Sequence, residues 1–388
     1  MIMNKACGLD VHKDSVFLCI LSDTGEKIEK VFGVLTTELE AMRDLIVSNG
    51  VEEVGMESTS IYWEPVWNIL EDSLQGRLKL INPYFIRQLP GHKSDVKDAQ
   101  WIAECILKGL VNGSYVPDEP IRRLRLYDRR IFDLDKEIVR KLAKLDAELQ
   151  RCNIRLSNYV SNTDCKSYTD VVDMICDGET DPNELVKHIH GRIINRHSKE
   201  TITASLKSCV SEADVDVMRQ LRQEIELARS HKQECIDKMN KICQENYSEE
   251  LALLTTMPGI KQQSATSLIA EIGTDMGKFE TANHLSSWSG LKPRNDQSNK
   301  TMKSRRITHG NRFLRQTIIQ CAWAASRTKN CHFSRFSFYQ TQVRKKNKLK
   351  VLVAVARKLL VCIWHILSAH TAYKDFGVKV VEKIITTS

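Results

Sequence analysis

The first hundred residues alternate short apolar runs with amphipathic stretches. ACGLDVHKDSVFLCIL reads as a strand, a tight turn and a second strand, and GEKIEKVFGVL adds a third after the turn-forming DTGE. TTELEAMRDLIVSNG carries apolar residues at helical spacing, a threonine cap, a glutamate in the first turn and Gly50 to stop it. VEEVGMES returns to strand, IYWEPVWNILEDSL to helix and RLKLINP to strand. SDVKDAQWIAECILKGL then reads as a helix capped by Ser94. Three strands, helix, strand, helix, strand, helix is the order of ribonuclease-H-like folds, where helices cover a mixed sheet.

Beyond this region the pattern becomes helical. Leu124, Tyr127, Ile131, Leu134, Ile138, Leu145 and Leu149 fall near a heptad and predict a long helix with a charged flank. A second such helix over about 211–247 aligns Leu221, Ile225, Ala228, Cys235, Met239 and Ile242. The polar, turn-rich stretch 152–205 lies between them, so the two helices suggest an antiparallel arm with a small insert. From 251, LLTTMPGIKQQSATSLIAEIG has the helix, Pro-Gly turn and helix of a helix-hairpin-helix, which offers backbone N–H groups to a phosphate. The expected class is α/β plus all-α, in three domains: 1–118, 119–250 and 251–388.

Charge adds a partner. The chain of 388 residues has a net charge of +8, but its basic residues are unevenly spread. Between Asp296 and Asp375 there is no acidic residue and there are 17 lysines and arginines, while the rest carries 40 basic and 49 acidic residues. Such a segment suits a polyanion, since each phosphate contact releases condensed counterions. Trp323, Phe333, Phe336, Phe338 and Tyr339 are interleaved with the charges, unlike a disordered basic tail. Nucleic acid is therefore expected rather than membrane. The apolar stretch 351–367 is cut by Arg357 and Lys358, which predicts a buried or amphipathic helix. With no apolar signal core at the start and 12 cysteines lacking any zinc-type spacing, a cytoplasmic protein with reduced thiols is expected.

The candidate chemistry lies in GHKSDVKDAQ, where Asp95 and Asp98 sit among Lys93 and Lys97. Residues three apart share a helix face, so the two acids repel unless a cation lies between them. Asp10 follows the apolar run ACGL, and Glu57 ends the strand VGMES, both where a buried strand should be apolar. Neighbouring first and fourth strands would bring them together beneath the later helix. Four carboxylates without nitrogen or sulfur ligands describe a site for Mg²⁺, or Mn²⁺, of the kind that supports phosphoryl transfer.

These segments resemble the DEDD transposases of bacterial insertion sequences, group 110. GLDVHKDS, MESTSIYWEPVWNILE and LPGHKSDVKDAQWIA are similar to that family's three acidic segments. TTMPGI, SSWSGLKPRNDQS and HGNRFLR match, in order, landmarks of its transposase domain. The resemblance implies a RuvC-like amino-terminal domain with the tetrad Asp10, Glu57, Asp95 and Asp98. It implies a nucleophile, Ser298, that forms a phosphoserine link and releases a 3′-hydroxyl. Asn299 stands where many members have glycine or alanine, a mild departure because asparagine tolerates the left-handed region. It further implies a homo-oligomer, a dimer or tetramer with composite sites, and a structured guide RNA that pairs with donor and target DNA. Candidate phosphate contacts are Arg294, Lys300, Lys303, Arg305, Arg306, Arg312 and Arg315, beside Lys93 and Lys97. Two other readings stand beside it: a metal-dependent endonuclease of the Holliday-junction-resolvase type, and an inactive nucleic-acid-binding derivative.

Overall fold

The computed structural model describes residues 3–58, 60–83, 95–293, 296–298, 301–304 and 307–375, without the side chains of 95–97, 296–298 and 301–304. The chain divides into two compact units, Met1–Val116 and Pro117–Ser388.

The first unit holds strands β1 (Lys5–Val11), β2 (Val16–Ser22), β3 (Lys27–Phe32), β4 (Glu53–Glu57) and β5 (Leu78–Ile81), with helices α1 (Thr36–Ser48), α2 (Trp63–Glu71) and α3 (Asp95–Leu107). The element order is the one read from the apolar pattern. The sheet runs β3-β2-β1-β4-β5, antiparallel across β1, β2 and β3 and parallel across β1, β4 and β5. Helices cover both faces of the central strands, as a mixed ribonuclease-H-like sheet requires. On one face Leu9, Val11, Val54 and Met56 meet Met42 and Ile46 of α1 and Leu70 of α2. On the other, Ala6 and Ile81 meet Ile102, Cys105 and Ile106 of α3. One detail departs from expectation. The residue before α1 is Leu35, and the Glu38 carboxylate, not a threonine, accepts its N–H at 3.1 Å. Ser94, expected to cap α3, lies outside the described residues.

Two glycines bring α3 onto the sheet. A Cβ at Gly8 would lie 2.0 Å from the Ala99 carbonyl and 2.6 Å from the Ala103 nitrogen, and one at Gly55 2.2 Å from Ile106 Cδ1. Approach this close, to backbone at Gly8 and to the Ile106 side chain at Gly55, is open only to glycine. Gly8→Ala should push α3 off β1 and cost about 1–3 kcal/mol or more, read as a lowered melting temperature. Gly25→Ala, which has open space but a positive φ, makes a less damaging control.

The second unit is helical. α4 (Glu119–Arg151) and α9 (Glu212–Asn246) are the two long helices, with α5 (Lys166–Cys176), α6 (Pro182–Leu185), α7 (Gly191–His197) and α8 (Lys199–Ser205) between them. They run antiparallel, because their pairs descend in one as they rise in the other: Arg151 with Asp214, Lys141 with Glu224, Lys232 with Asp135. The stretch 152–205 is less polar than it reads. Tyr168, Val172, Ile175, Leu185 and Ile202 form a core with Leu142 and Leu149 of α4 and Met218 and Ile225 of α9.

α10 (Ser248–Thr255) and α11 (Gln262–Ile272) form the helical hairpin, followed by α12 (Ala282–Trp288), β6 (Asp296–Ser298), β7 (Thr301–Ser304), α13 (Arg312–Ala325), α14 (His332–Phe338) and α15 (Lys348–Ala369). α15 is long and apolar enough to cross a membrane by length and composition, but Val355, Leu359, Leu360 and Ile363 lie in the core of this unit.

The buried seam of α4 contains a surprise. Ile121, Leu124, Ile131 and Leu134 are buried and Tyr127 packs half-buried against the same core, as expected, but Asp128 beside it is buried as well. Burial pushes the Asp128 carboxyl up to about 6, with a hydrogen bond from Ser267 opposing the shift and the charge of Glu271 adding to it. The folded chain thus holds this proton more tightly than the unfolded chain does. The cost of Asp128 grows as pH rises from near 3.8 to about 6 and is constant above. Asp128→Asn should therefore stabilise the protein by about 2–3 kcal/mol at pH 7–8, a gain that vanishes below about pH 4 in melting curves.

Candidate acidic site and serine hairpin

Asp10 and Glu57 are placed by strand register. Leu9 pairs with Met56 across the parallel β1–β4 ladder, so Asp10 and Glu57 stand one residue further along neighbouring strands. Strand alternation puts Gly8 and Asp10 on one face, and likewise Gly55 and Glu57. That face is the one α3 crosses, and Asp98 precedes Ala99, whose carbonyl touches Gly8. A glycine two residues before each acid lets the helix approach, and each acid then lies along the same edge of its path.

Asp10 is 9% exposed. Burial raises its carboxyl above the ordinary carboxylate range, His12 opposes this by charge and hydrogen bond, and the like charges of Asp98 and Glu57 raise it further. His12 Nε2 lies 3.0 Å from Asp10 Oδ2. Three of the four expected acids are thus electrostatic neighbours. Among the described residues no three His, Cys, Asp or Glu side chains form a closed metal-ligating group. Asp95 starts α3, one turn before Asp98, and Lys97 lies between them, but both side chains fall outside the described residues, as does all of Lys93.

Ser298 ends β6 and pairs with Thr301 in a short antiparallel hairpin. The side chains of Ser298 and Lys303 lie outside the described residues, as do Arg294, Lys300, Arg305 and Arg306 entirely. The hairpin's base is well described. Pro293 bridges Ile307, and the Thr308 N–H donates to the Lys292 carbonyl at 3.2 Å. Gly290 and Gly310 touch backbone to backbone: a Cβ on Gly310 would lie 2.3 Å from the Gly290 nitrogen. Arg315 Nη2 donates to the Thr308 carbonyl at 3.1 Å, which directs this candidate phosphate contact to the hairpin base. Arg312 is exposed, its guanidinium 4.7 Å from the Phe313 ring centre.

A buried acid anchors the far end. Glu271 on α11 is 1% exposed and accepts from Asn311 Nδ2 and from Arg129 Nε. Asn311 Oδ1 in turn accepts the N–H groups of Phe313 and Leu314 at 2.9 and 3.1 Å, capping α13.

A family model described as Transposase, of the DEDD type, matches residues 7–154, and one described as Transposase IS116/IS110/IS902 family matches 251–337. The chain belongs to the IS110 family of transposases. Over 125 residues this IS110-family chain is 30% identical to a pilin gene-inverting protein of Moraxella bovis, covering 30% of the chain and 37% of that relative. The counterpart from Moraxella lacunata matches to the same extent. A 43.6 kDa protein of insertion element IS110 from Streptomyces coelicolor is 28% identical over 124 residues, 32% of this chain and 30% of its own length. The chain thus spans between 30% and 37% of the length of these relatives.

In this IS110-family chain the tetrad positions fall within the first matched segment and Ser298 within the second. Sequence reasoning missed His12, Gly8, Gly55, Glu271 and Asn311. The two glycines were legible as a repeated signal, G-x-D at 8–10 and G-x-E at 55–57. Glu271 was not, because an acid in AEIG reads as an exposed helix position.

Proposed function

We propose that this chain cuts and rejoins DNA, with Ser298 as nucleophile and Asp10, Glu57, Asp95 and Asp98 as ligands of Mg²⁺ or Mn²⁺. The observation that carries the reading is the burial of Asp10 between two further acids. A carboxylate in that position is costly unless a cation balances it. The donors fit a hard divalent ion: carboxylate oxygens, with His12 as an outer partner fixing Asp10. Bound there, the ion would supply Lewis-acid stabilisation of charge on phosphate oxygens.

The chain's own groups supply the rest. Ser298 Oγ forms a bond to phosphorus as the bond from phosphorus to the 3′-oxygen breaks, and the hydroxyl proton is passed on to that leaving oxygen. The strand then ends in a free 3′-hydroxyl, and the 5′ side stays linked through phosphoserine. Rejoining is the reverse reaction with a different 3′-hydroxyl. The name of the Moraxella relatives, pilin gene-inverting protein, supports a reaction that both cuts and rejoins. The basic, acid-free stretch after Asp296 suits phosphates, and we assign it to element DNA and a structured guide RNA. Arg294, Lys300, Lys303, Arg305, Arg306, Arg312 and Arg315 contact phosphates as a group, and Lys93 and Lys97 hold the nucleic-acid backbone beside the acids. α4 and α9 serve as a coiled-coil arm in a homo-oligomer, between the catalytic domain over 1–118 and the transposase domain over 251–388.

The test is a denaturing gel after incubating the protein with element-end DNA, guide RNA and Mg²⁺. A slowly migrating protein–DNA band that needs Mg²⁺ is expected. Nicking without that band would make the chain a metal-dependent endonuclease, and binding without cleavage an inactive derivative. Removing 300–350 should reduce both affinity and its salt slope in a binding titration.

A further inference from the structure

We propose that the groove over Asp128, in the second unit, binds one unpaired guanine of a nucleic-acid strand. The groove has a volume of about 630 Å³ and is formed by α4, α9, the Gly259–Lys261 turn with the start of α11, and α13. That lies within the roughly 300–1,000 Å³ of small-ligand sites. None of its lining residues belongs to the acidic tetrad or to the serine hairpin.

Its floor is the anomaly in the α4 seam. Asp128 is 7% exposed, takes a hydrogen bond from Ser267, and forms no ion pair among the described residues. A leucine there would pack better, so the carboxylate calls for a ligand that uses it. Above it stand Gln263, Gln316 and Gln320, whose amides make no hydrogen bond among the described residues. One wall is the edge-to-face pair Phe132–Phe313, ring centres 4.8 Å apart, with the Arg129 guanidinium 4.8 Å from the Phe313 ring. Lys261, at the start of α11, adds a cation at the rim.

The chemistry selects the base. An ionised carboxylate only accepts hydrogen bonds, and a neutral partner satisfies both its oxygens by offering two adjacent N–H groups in one plane. Among the bases guanine alone does so, through its ring N–H and its amino group. The neighbouring amides can meet its O6 and N7 acceptors, the rings can stack, and the rim cation suits a phosphate. The Watson–Crick edge must be free, so the guanine is unpaired or turned out of a duplex. This inference does not depend on serine chemistry, and its failure would leave that reading intact.

The test is fluorescence anisotropy of the full chain with hairpin oligonucleotides that differ only in one bulged nucleotide, guanine or abasic, made as DNA and as RNA. The guanine bulge should bind on the order of tenfold more tightly in at least one of the two series, which identifies the strand. Asp128→Asn should reduce that preference to within about twofold, and Gln316→Ala, an exposed side chain whose loss should leave the melting temperature unchanged, should reduce it several-fold. Equal binding of guanine and abasic bulges in both series would overturn the proposal, as would a preference that survives both substitutions.

Discussion

Ser298→Ala is expected to eliminate the covalent protein–DNA species and strand transfer together, a loss on the order of 10⁴-fold or more, as for other enzymes deprived of their nucleophile. DNA binding should stay within about twofold, since one hydroxyl adds little to an interface dominated by phosphate contacts. The expectation follows from the hairpin. Ser298 ends β6 opposite Thr301, and the base below it is fixed by the Gly290–Gly310 contact, the Arg315–Thr308 hydrogen bond and the cap of Asn311 held by Glu271. Thr301 and Ser304 offer hydroxyls on the facing strand, and their alanine variants should retain the adduct. Mass mapping of the crosslinked peptide distinguishes the three. An adduct that persists in Ser298→Ala, or maps to Thr301 or Ser304, would contradict the assignment.

The second large effect is at the acids. Asp98→Asn should lower strand transfer by about 10²–10³-fold, the usual scale for losing one charge-stabilising group at a reacting phosphate. It should not lower the melting temperature, because removing one of three neighbouring negative charges relieves the repulsion on buried Asp10. Loss of rate with unchanged or raised stability marks a group retained for chemistry. A structural acid would show the opposite, with stability and rate falling together. Asp95→Asn should follow the same pattern, with DNA and RNA binding nearly intact in both variants.

The legibility of this chain follows from where its signals are local. The element order of the first unit was readable because each strand and helix carries its own apolar period, and Asp10 and Glu57 stood out as charges in otherwise apolar strands. Their proximity depended on β1 pairing with β4, which the order of elements implied but did not fix. The seam of α4 holds one residue that no apolar pattern reveals. Tyr127 packs against the core as its position implies, but only the packing of α4 against α11 shows that Asp128 beside it also faces inward. The stretch 152–205 misled for a different reason: its helices are short, so none shows a full apolar period, although together they enclose a core. The anchor from Glu271 to Asn311 spans 40 residues and two elements, beyond the reach of any local pattern.

The account depends on the acids of the first unit forming one divalent-cation site. Mn²⁺ binding to the full chain, followed by electron paramagnetic resonance without nucleic acid, addresses this directly. Wild type should bind the ion with an affinity that Asp10→Asn weakens by at least about tenfold, the least expected for a lost ligand. Mn²⁺ bound equally by wild type and Asp10→Asn would contradict it.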